Sequence, residues 1–220
     1  MRKFFFISTI VLCSISLHAQ EKTETYIRLQ GSLNTSTLMR TNKSISSNYG
    51  YVYGYSLGMN LHTVYASQWG WEGGISYIQK GGKFNNTLGN PKAHLGYLEG
   101  NVAAVRNFPL ENDDDIFVNA GFYISGGIAG KIKTDSSKIN VPYGNEWKRI
   151  DMGVQFKAGY TFHKKITLGL FMDGSLTNAY LQNVIPGGRP GLNGKNFSLN
   201  VFGSISLNKL FHAENMKPLF

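Results

Sequence analysis

The chain has 220 residues with a formal net charge of +9, and 13% of its residues are aromatic. Its basic residues are scattered rather than gathered in a stripe or a basic helix, which argues against a protein that binds nucleic acid. This length allows a single domain, and 26 Gly, 12 Tyr and 14 Phe against 6 Pro are typical of an all-β chain.

The first predicted element is a cleaved secretory signal peptide over residues 1–19. Two basic residues precede an apolar run, which is followed by a small-residue site ending at Ala19. The apolar run is too short for a membrane-spanning helix, so cleavage after Ala19 is expected. The alternative is lipoprotein processing at Cys13, although the leucine before it is a poor match to such a site. Because Cys13 is the only cysteine, the mature chain is expected to use no disulfide.

Eight segments of strand length follow the signal peptide. In each of them apolar and polar residues alternate, so that one face of the strand is apolar and the other is polar. The alternation is clearest in "DMGVQFKAGYTF" (151–162), where Met152, Val154 and Phe156 share the apolar face. Glycines blur it in the third and fourth segments. The predicted strands are 25–34, 51–62, 69–79, 95–107, 116–129, 150–162, 166–180 and 196–208.

The connections between these segments alternate between long and short along the whole chain. Outer-membrane barrels have long extracellular loops, short periplasmic turns and an even strand count, whereas a soluble sandwich has no reason to alternate in this way. The chain is therefore predicted to be all-β, an eight-stranded antiparallel up-and-down transmembrane β-barrel in the outer membrane of a Gram-negative bacterium. Such a barrel closes so that no backbone group faces lipid unpaired. Both termini are expected in the periplasm.

The barrel domain is predicted over residues 20–211. Beyond it the apolar alternation fades, and Pro218 cannot donate a hydrogen bond within a strand. The eighth strand is therefore expected to end near Phe211, and residues 212–220 are expected to form a short periplasmic C-terminal tail. This tail is either mobile or a docking peptide for a periplasmic partner.

Aromatic residues are predicted to mark both membrane–water interfaces, where a ring contacts lipid while its polar group stays hydrated. The expected interfacial aromatics are Trp69, Trp71, Tyr160 and Phe162 at the periplasmic rim and Tyr51, Tyr53 and Tyr180 at the outer rim. The alternative is that each is an ordinary strand aromatic.

Charged residues of both signs fall on the predicted inward face. The expected lumen ion-pair network consists of Arg28, Glu72, Glu99, Lys157 and Asp173. An isolated buried charge is costly, so these side chains should pair and form a structural plug. The tight "HKK" connection between the sixth and seventh strands makes Lys157 and Asp173 diagonal neighbours on one face. The alternative is a path for protons or ions.

No group of residues in the sequence has the spacing of a catalytic site. Ser56 and His62 share the inward face, but no Ser-His-Asp spacing or nucleophile elbow accompanies them. The acidic stretch "LENDDDIF" (110–117) lacks the spaced ligands of a calcium loop and is interpreted as a solvated turn. We therefore expect no catalytic residue, no cofactor and no metal site.

Five segments resemble an outer-membrane β-barrel family of Bacteroidetes that includes the PorT-like proteins. They are "GYLEGNVAAVRNF" (96–108), "IFVNAGFYISGGIAGKIK" (116–133), "IDMGVQFKAGYTF" (150–162), "LGLFMDGSLTNAY" (168–180) and "NFSLNVFGSISL" (196–207). The seventh strand has "SLTN" where family members have "GLTN", and Gly100 and Asn101 depart from the usual "IP". The resemblance implies an eight-stranded outer-membrane barrel associated with type IX secretion, and it transfers no catalytic residue.

These observations predict a non-enzymatic outer-membrane protein, a structural or interaction component of the envelope such as a secretion (type IX) or envelope-assembly factor. Its expected partners are outer-membrane lipid and envelope or secretion-machinery proteins, and nucleic acid is not among them. Two alternatives stay open. One is a barrel that binds a small ligand or a surface through its extracellular loops, and the other is a lipid-modifying enzyme.

Overall fold

The computed structural model describes residues 23–40, 49–84, 91–133, 138–140, 148–178 and 194–210. Its strands are β1 (Glu24–Arg40), β2 (Tyr49–Gly50), β3 (Val52–Val64), β4 (Trp69–Phe84), β5 (Lys92–Pro109), β6 (Asp115–Lys133), β7 (Lys138–Asn140), β8 (Ile150–Phe162), β9 (Ile166–Ser175) and β10 (Gly194–Ser206). A 3-10 turn (Glu111–Asp113) follows β5, and a short α-helix (Leu207–Leu210) follows β10. Within these ranges, no helix is both long and apolar enough to cross a membrane. The predicted signal peptide (1–19) and C-terminal tail (212–220) lie outside the described residues.

Eight long strands form one closed antiparallel barrel. Each pairs with the next long strand in the chain, and β1 closes the ring by pairing with both β3 and β10. β2 and β7 are short and pair with the ends of β4 and β6. This arrangement confirms the predicted eight-stranded antiparallel up-and-down barrel. A closed ring leaves no unpaired sheet edge, as lipid requires.

We call the end of the barrel that carries the tight connections the turn end, and the opposite end the loop end. The turn-end connections are 65–68, 110–114 and 163–165. The last of these is a tight hairpin in which His163 and Lys164 have φ values of 46° and 54°. Two successive residues with positive φ are typical of hairpin turns whose twist matches that of the flanking strands. Asp114 braces this hairpin, because its carboxylate accepts a hydrogen bond from the His163 backbone N–H at 2.7 Å.

The two faces of β8 confirm the alternation predicted from its sequence. Asp151, Gln155 and Lys157 point inward and are buried, whereas Met152 and Phe156 point outward with 44% and 48% of their surface exposed. The strand therefore turns its polar face to the lumen and its apolar face to the surroundings, as expected for a barrel surrounded by lipid.

The inward face also carries large apolar side chains, among them the buried Phe117, Phe171 and Phe202. Inward glycines make room for aromatic rings: Gly153 lies beside Tyr123, Gly159 beside Phe117 and Gly169 beside Phe202. A Cβ atom at any of these glycines would come within 2.8 Å of a ring atom. The lumen is therefore filled by rings as well as by charged groups, as an eight-stranded interior allows.

Several strand ends differ from the prediction. The strands β1, β4 and β6 continue farther toward the loop end, to Arg40, Phe84 and Lys133. In contrast, β9 ends early, at Ser175. The reason is that the backbone N–H groups of Leu176 and Thr177 both turn to the Met152 carbonyl, at 2.8 and 3.3 Å.

The last strand ends at Ser206 rather than near Phe211. Asn208 explains the difference: its side-chain amide donates to the Thr25 carbonyl at 2.6 Å, and its Oδ1 accepts from the Ile27 N–H at 3.3 Å. The side chain thus takes the place of a peptide group opposite β1. The backbone is then free to turn into the short helix.

Candidate functional site

Glu72 is the centre of a polar cluster in the turn-end half of the lumen. Its Oε1 accepts hydrogen bonds from Lys157 Nζ at 2.6 Å and Asn119 Nδ2 at 3.2 Å, and its Oε2 lies 3.0 Å from His62 Nδ1. The four buried side chains of this Glu72 cluster come from β3, β4, β6 and β8. The carboxylate is therefore paired with one ammonium group and held by two further polar side chains, as a buried ion pair requires.

Lys80 is the centre of a second cluster, nearer the loop end. Its Nζ donates to Glu99 Oε2 at 2.7 Å and lies 3.5 Å from Asp173 Oδ2, which also accepts from Ser198 Oγ at 3.0 Å. The ammonium group lies 4.0 Å from the centre of the Tyr123 ring. In this Lys80 cluster a single, fully buried cation is shared by two carboxylates.

Asp151 is the centre of a further group of hydrogen bonds, on the loop-end side of these clusters. Its carboxylate accepts hydrogen bonds from Ser175 Oγ, from Thr177 Oγ1 at 3.1 Å and from Asn196 Nδ2 at 3.1 Å. The Asn196 amide also lies 3.3 Å from the Tyr97 hydroxyl oxygen. Hydrogen-bond donors from β9, β10 and the residues just after β9 thus gather around one carboxylate.

Four residues of the predicted lumen network form ion pairs, but these pairs do not join into one network. The register of β8 and β9 makes Lys157 and Asp173 diagonal neighbours. They nevertheless belong to different clusters, because Lys157 pairs with Glu72 while Asp173 faces Lys80. The lumen therefore contains two separate ion-pair clusters at different heights.

Arg28 is buried in the lumen, but the structure contradicts its predicted place in an ion pair. Among the described residues, no carboxylate oxygen lies within 4.0 Å of its guanidinium group. The guanidinium carbon lies 5.5 and 5.3 Å from the ring centres of Tyr26 and Phe117. The residues opposite Arg28 on the flanking strands are Asn60 and Ser206, which carry no charge. Its Nε is buried without a hydrogen-bond partner.

Lys80 is the charged residue of the two clusters that the sequence analysis misses. The third strand is predicted to end at residue 79, whereas β4 continues to Phe84. The signal is present in the sequence, because counting in steps of two from Glu72 along the inward face reaches Ile78 and then Lys80.

Ser56 and His62, the inward serine and histidine considered in the sequence analysis, have different hydrogen-bond partners. Ser56 Oγ lies 2.6 Å from Ser32 Oγ, whereas His62 is engaged by Glu72. A nucleophile and a base are therefore not brought together by this pair. In the part of the chain that the structure describes, no group of three or more His, Cys, Asp or Glu residues is placed to hold a metal ion.

The acidic stretch 110–117 forms a turn that supports the neighbouring hairpin. Asp114 accepts a hydrogen bond from the Tyr160 hydroxyl at 2.6 Å and another from the His163 backbone N–H at 2.7 Å. These two hydrogen bonds, the first above all, lower the pKa of Asp114 below its usual value. This carboxylate has a structural role at the turn end.

The outer wall is a continuous apolar belt. Every long strand contributes an exposed apolar side chain to it: Leu33, Leu57, Ile75, Val102, Phe122, Phe156, Leu170 and Val201. At the turn end, the Arg106 guanidinium carbon lies 5.4 Å from the ring centre of Trp69 and 5.7 Å from that of Phe108. Soluble monomers rarely expose an apolar surface of this extent, whereas lipid would cover it.

The predicted interfacial aromatics lie at both ends of this belt. Trp69, Trp71 and Phe162 are exposed at the turn end with Tyr160 partly exposed, and Tyr51 and Tyr53 are exposed at the loop end. Tyr180 lies outside the described residues.

Comparison with solved structures finds small outer-membrane barrels. The outer membrane protein OprG from Pseudomonas aeruginosa matches with a TM-score of 0.52 at 9% identity, over 84% of this chain and 96% of that chain. The Neisserial surface protein A matches with a TM-score of 0.47 at 11% identity, over 84% of this chain and 99% of that chain. The outer membrane enzyme PagL matches with a TM-score of 0.39 at 12% identity, over 80% of this chain and 99% of that chain. At 9% identity, the match to OprG supports the barrel fold and carries no information about function.

Comparison with curated protein sequences finds no match. A protein family described as "Outer membrane protein beta-barrel domain" matches residues 18–180, which is most of the chain. The closed barrel, its inward polar clusters and its outward apolar belt agree with that description. The chain therefore belongs to the family of outer membrane protein beta-barrel domains.

Proposed function

We propose that this protein is a sealed, non-enzymatic barrel in the outer membrane of a Gram-negative bacterium and serves as a structural or interaction component of the envelope. The filled lumen is the observation that carries this proposal. The Glu72 and Lys80 clusters cross the lumen at two heights, and Phe171 and Phe202 pack beside Lys157. A barrel that is closed at its centre acts through its outer wall and its ends rather than as a pore.

In the proposed orientation the turn end and both termini face the periplasm, and the loop end faces outward. β5 and β6 have 18 and 19 residues, whereas β9 has 10. A tilted strand needs about 9–11 residues to cross a bilayer, so the two longer strands extend beyond it at the loop end. Short turns on one side and long projections on the other are typical of the periplasmic and extracellular sides of outer-membrane barrels.

Cysteine labelling tests this orientation with a matched pair of variants. Asn140→Cys, at the loop end, is expected to react with a membrane-impermeant thiol reagent on whole cells. Lys164→Cys, in a turn-end hairpin, is expected to react only after the outer membrane has been opened. The chain has one cysteine, Cys13, within the predicted signal peptide, so the background should be low. Labelling in the reverse pattern would overturn the orientation.

The resemblance to PorT-like proteins supports a more specific form of the proposal, in which the chain takes part in type IX secretion or envelope assembly. The projecting ends of β4, β5 and β6 are then the surface on which an envelope protein is expected to dock. Their length supports this, since these strands carry more residues than a bilayer crossing needs.

Two measurements on the purified protein test the function. Reconstituted into planar bilayers, the barrel is expected to show no steady conductance, and a steady conductance would overturn the sealed lumen. Affinity purification in mild detergent is expected to recover stoichiometric envelope proteins. A co-purified soluble small ligand or soluble glycan would favour the ligand-binding alternative instead. Altered lipid A in a deletion strain would favour a lipid-modifying enzyme.

A further inference from the structure

Four lysines lie side by side across four adjacent strands at the loop end. The register pairs Lys83 of β4 with Lys92 of β5, Lys92 with Lys133 of β6, and Lys133 with Lys138 of β7. We call these four residues the lysine row. Because neighbouring strands are about 4.8 Å apart, the Cα atoms of the row span only about 15 Å.

The lysine row lies on the outer wall of the barrel. Directly paired residues of neighbouring strands point to the same face of a sheet. On β5, the intervening residues Ala93 and Leu95 are buried in the lumen, and on β6 Ile132 packs against the apolar lumen core. The lysines therefore point outward. Three of the four are exposed, and Lys83 is partly buried.

The row has no counter-charge among the residues that the structure describes. In the described ranges, no carboxylate oxygen lies within 4.0 Å of any of its ammonium groups. Asp135, between β6 and β7, lies outside the described residues. Like charges directly opposite one another destabilise a sheet. A row of four such residues on adjacent strands is therefore expected to have an anion from outside the chain as its partner.

A groove next to the row has the size and charge for such an anion. Its volume is ≈ 390 Å³, and its lining includes Tyr77, Gln79, His94, Lys131, Lys133 and Lys138. On β6, Lys131 is the outward residue next to Lys133 on the side away from the loop end, and it pairs with the uncharged His94 of β5. The positive charge therefore continues one position below the row through Lys131. None of the lining residues is acidic. The groove therefore offers ammonium and amide donors without a competing carboxylate.

The height of the row identifies the source of the anion. On β6, the outward residues from Ile116 to Ala129 are all uncharged, and Lys131 and Lys133 follow directly. This uncharged stretch rises roughly 30–35 Å along a tilted barrel, about 5–10 Å more than the apolar band of about 25 Å that is typical of outer-membrane barrels. The exposed Leu98 and Ile128 lie just below the lysines. The lysines thus stand at the level of the lipid headgroups.

We propose that the lysine row and its groove bind phosphate groups carried by the lipids around the loop end of the barrel. This inference rests on the proposed orientation, in which those lipids are the phosphorylated glycolipids of the outer leaflet. A position on the outer wall, directly above apolar side chains, favours a lipid over a soluble acidic polymer, because a lipid contacts both surfaces at once.

Native mass spectrometry of the purified barrel in detergent tests the proposal with two probes, lipid A carrying its phosphates and lipid A with both phosphates removed. The wild-type chain is expected to bind the phosphorylated probe about tenfold more tightly. Lys92→Gln/Lys133→Gln is expected to lose this preference. Lys164→Gln/Lys165→Gln, which removes the same charge at the turn end, is expected to keep it.

Equal binding of the two probes by the wild-type chain would overturn the proposal, as would a preference that survives in Lys92→Gln/Lys133→Gln. Lysine-dependent binding of heparin without a preference between the lipid probes would assign the row to a soluble polyanion instead. Heat-modifiable migration on gels checks that every variant is folded. The conductance and labelling tests do not depend on the lysine row. If the barrel passes both of them but shows no preference for the phosphorylated probe, the lipid-phosphate inference is wrong and the proposed function is unaffected.

Discussion

Adjacent residues of β9 meet two different requirements. Met172 points outward, is exposed and belongs to the apolar belt, whereas Asp173 points inward, contacts Lys80 at 3.5 Å and accepts a hydrogen bond from Ser198. An outward side chain contacts lipid, a uniform solvent in which any apolar residue is acceptable. An inward side chain contacts particular neighbours. Hydropathy therefore specifies the outer face, and pairing specifies the inner face.

The largest expected effect comes from removing the cation shared by two inward carboxylates. Lys80→Met should lower the free energy of unfolding by about 3–5 kcal/mol, because Glu99 and Asp173 would stay buried without their partner. Urea titration of the protein refolded into lipid vesicles measures this change. A loss below about 1 kcal/mol, the size expected of a solvated surface pair, would show that the lumen is hydrated and its pairing unimportant.

The cost of placing a charged side chain on the outer face should depend on its depth in the bilayer. Leu170→Arg, near the middle of β9, is expected to cost about 2–4 kcal/mol of barrel stability. Ile166→Arg is the control, because Ile166 is also exposed on the outer face but lies at the turn-end rim, where an arginine should cost about 0–1 kcal/mol. The same vesicle titration compares the two variants. Equal losses would contradict the placement of the belt in the bilayer.

A second buried cation sharpens the comparison within the lumen. Arg28 makes no ion pair with the described residues and carries a buried Nε without a hydrogen-bond partner. Arg28→Met should therefore change the free energy of unfolding by only about 1 kcal/mol or less, because no paired carboxylate is left behind. Lys80→Met is its matched counterpart. If both substitutions are equally destabilising, burial of the cation and not its pairing determines the cost.

The smallest expected effect concerns the turn end and depends on pH. Hydrogen bonds from Tyr160 and His163 lower the pKa of Asp114 below its usual 3.8. Its stabilising contribution is therefore fully present above pH 3.8 and is lost as the pH falls through the lowered value. Asp114→Asn should be less stable than wild type at neutral pH, and the difference should shrink below that pH.

Thermal unfolding of the wild type and Asp114→Asn across this pH range measures the difference. Glu111→Gln is the control, because it removes a carboxylate from the same turn. A difference between wild type and Asp114→Asn that stays constant down to the most acidic condition would exclude Asp114 as its source.

The strands and their faces could be predicted because alternation is a local property of the sequence. Lys157 and Asp173 lie on the inward face as their positions in the alternation require. Their partners could not be predicted in the same way. Lys157 pairs with Glu72, which is 85 residues away on another strand, because the stagger of the strands brings both to one height in the lumen. Arg28 was predicted to form an ion pair, but the same stagger places its guanidinium group between the rings of Tyr26 and Phe117.

The ends of the strands depended on contacts that no periodic pattern contains. The side chain of Asn208 replaces a peptide group opposite β1, and the N–H groups of Leu176 and Thr177 share the Met152 carbonyl. Both strands end where a competing hydrogen bond from a distant part of the chain is available. Lys80 was missed for the opposite reason, because β4 continues past the predicted strand end at residue 79.

The sequence by itself determined the number of long strands, the apolar outer face of each and the short turns at one end, because these follow from neighbouring residues and from the solvent around them. The tertiary structure alone decided which charges meet in the lumen and which lysines stand in a row. Lys83, Lys92, Lys133 and Lys138 are scattered along the chain and become neighbours only through the register of four strands. Pairing between distant strands depends on the closure of the whole barrel, and no single segment of the sequence carries that information.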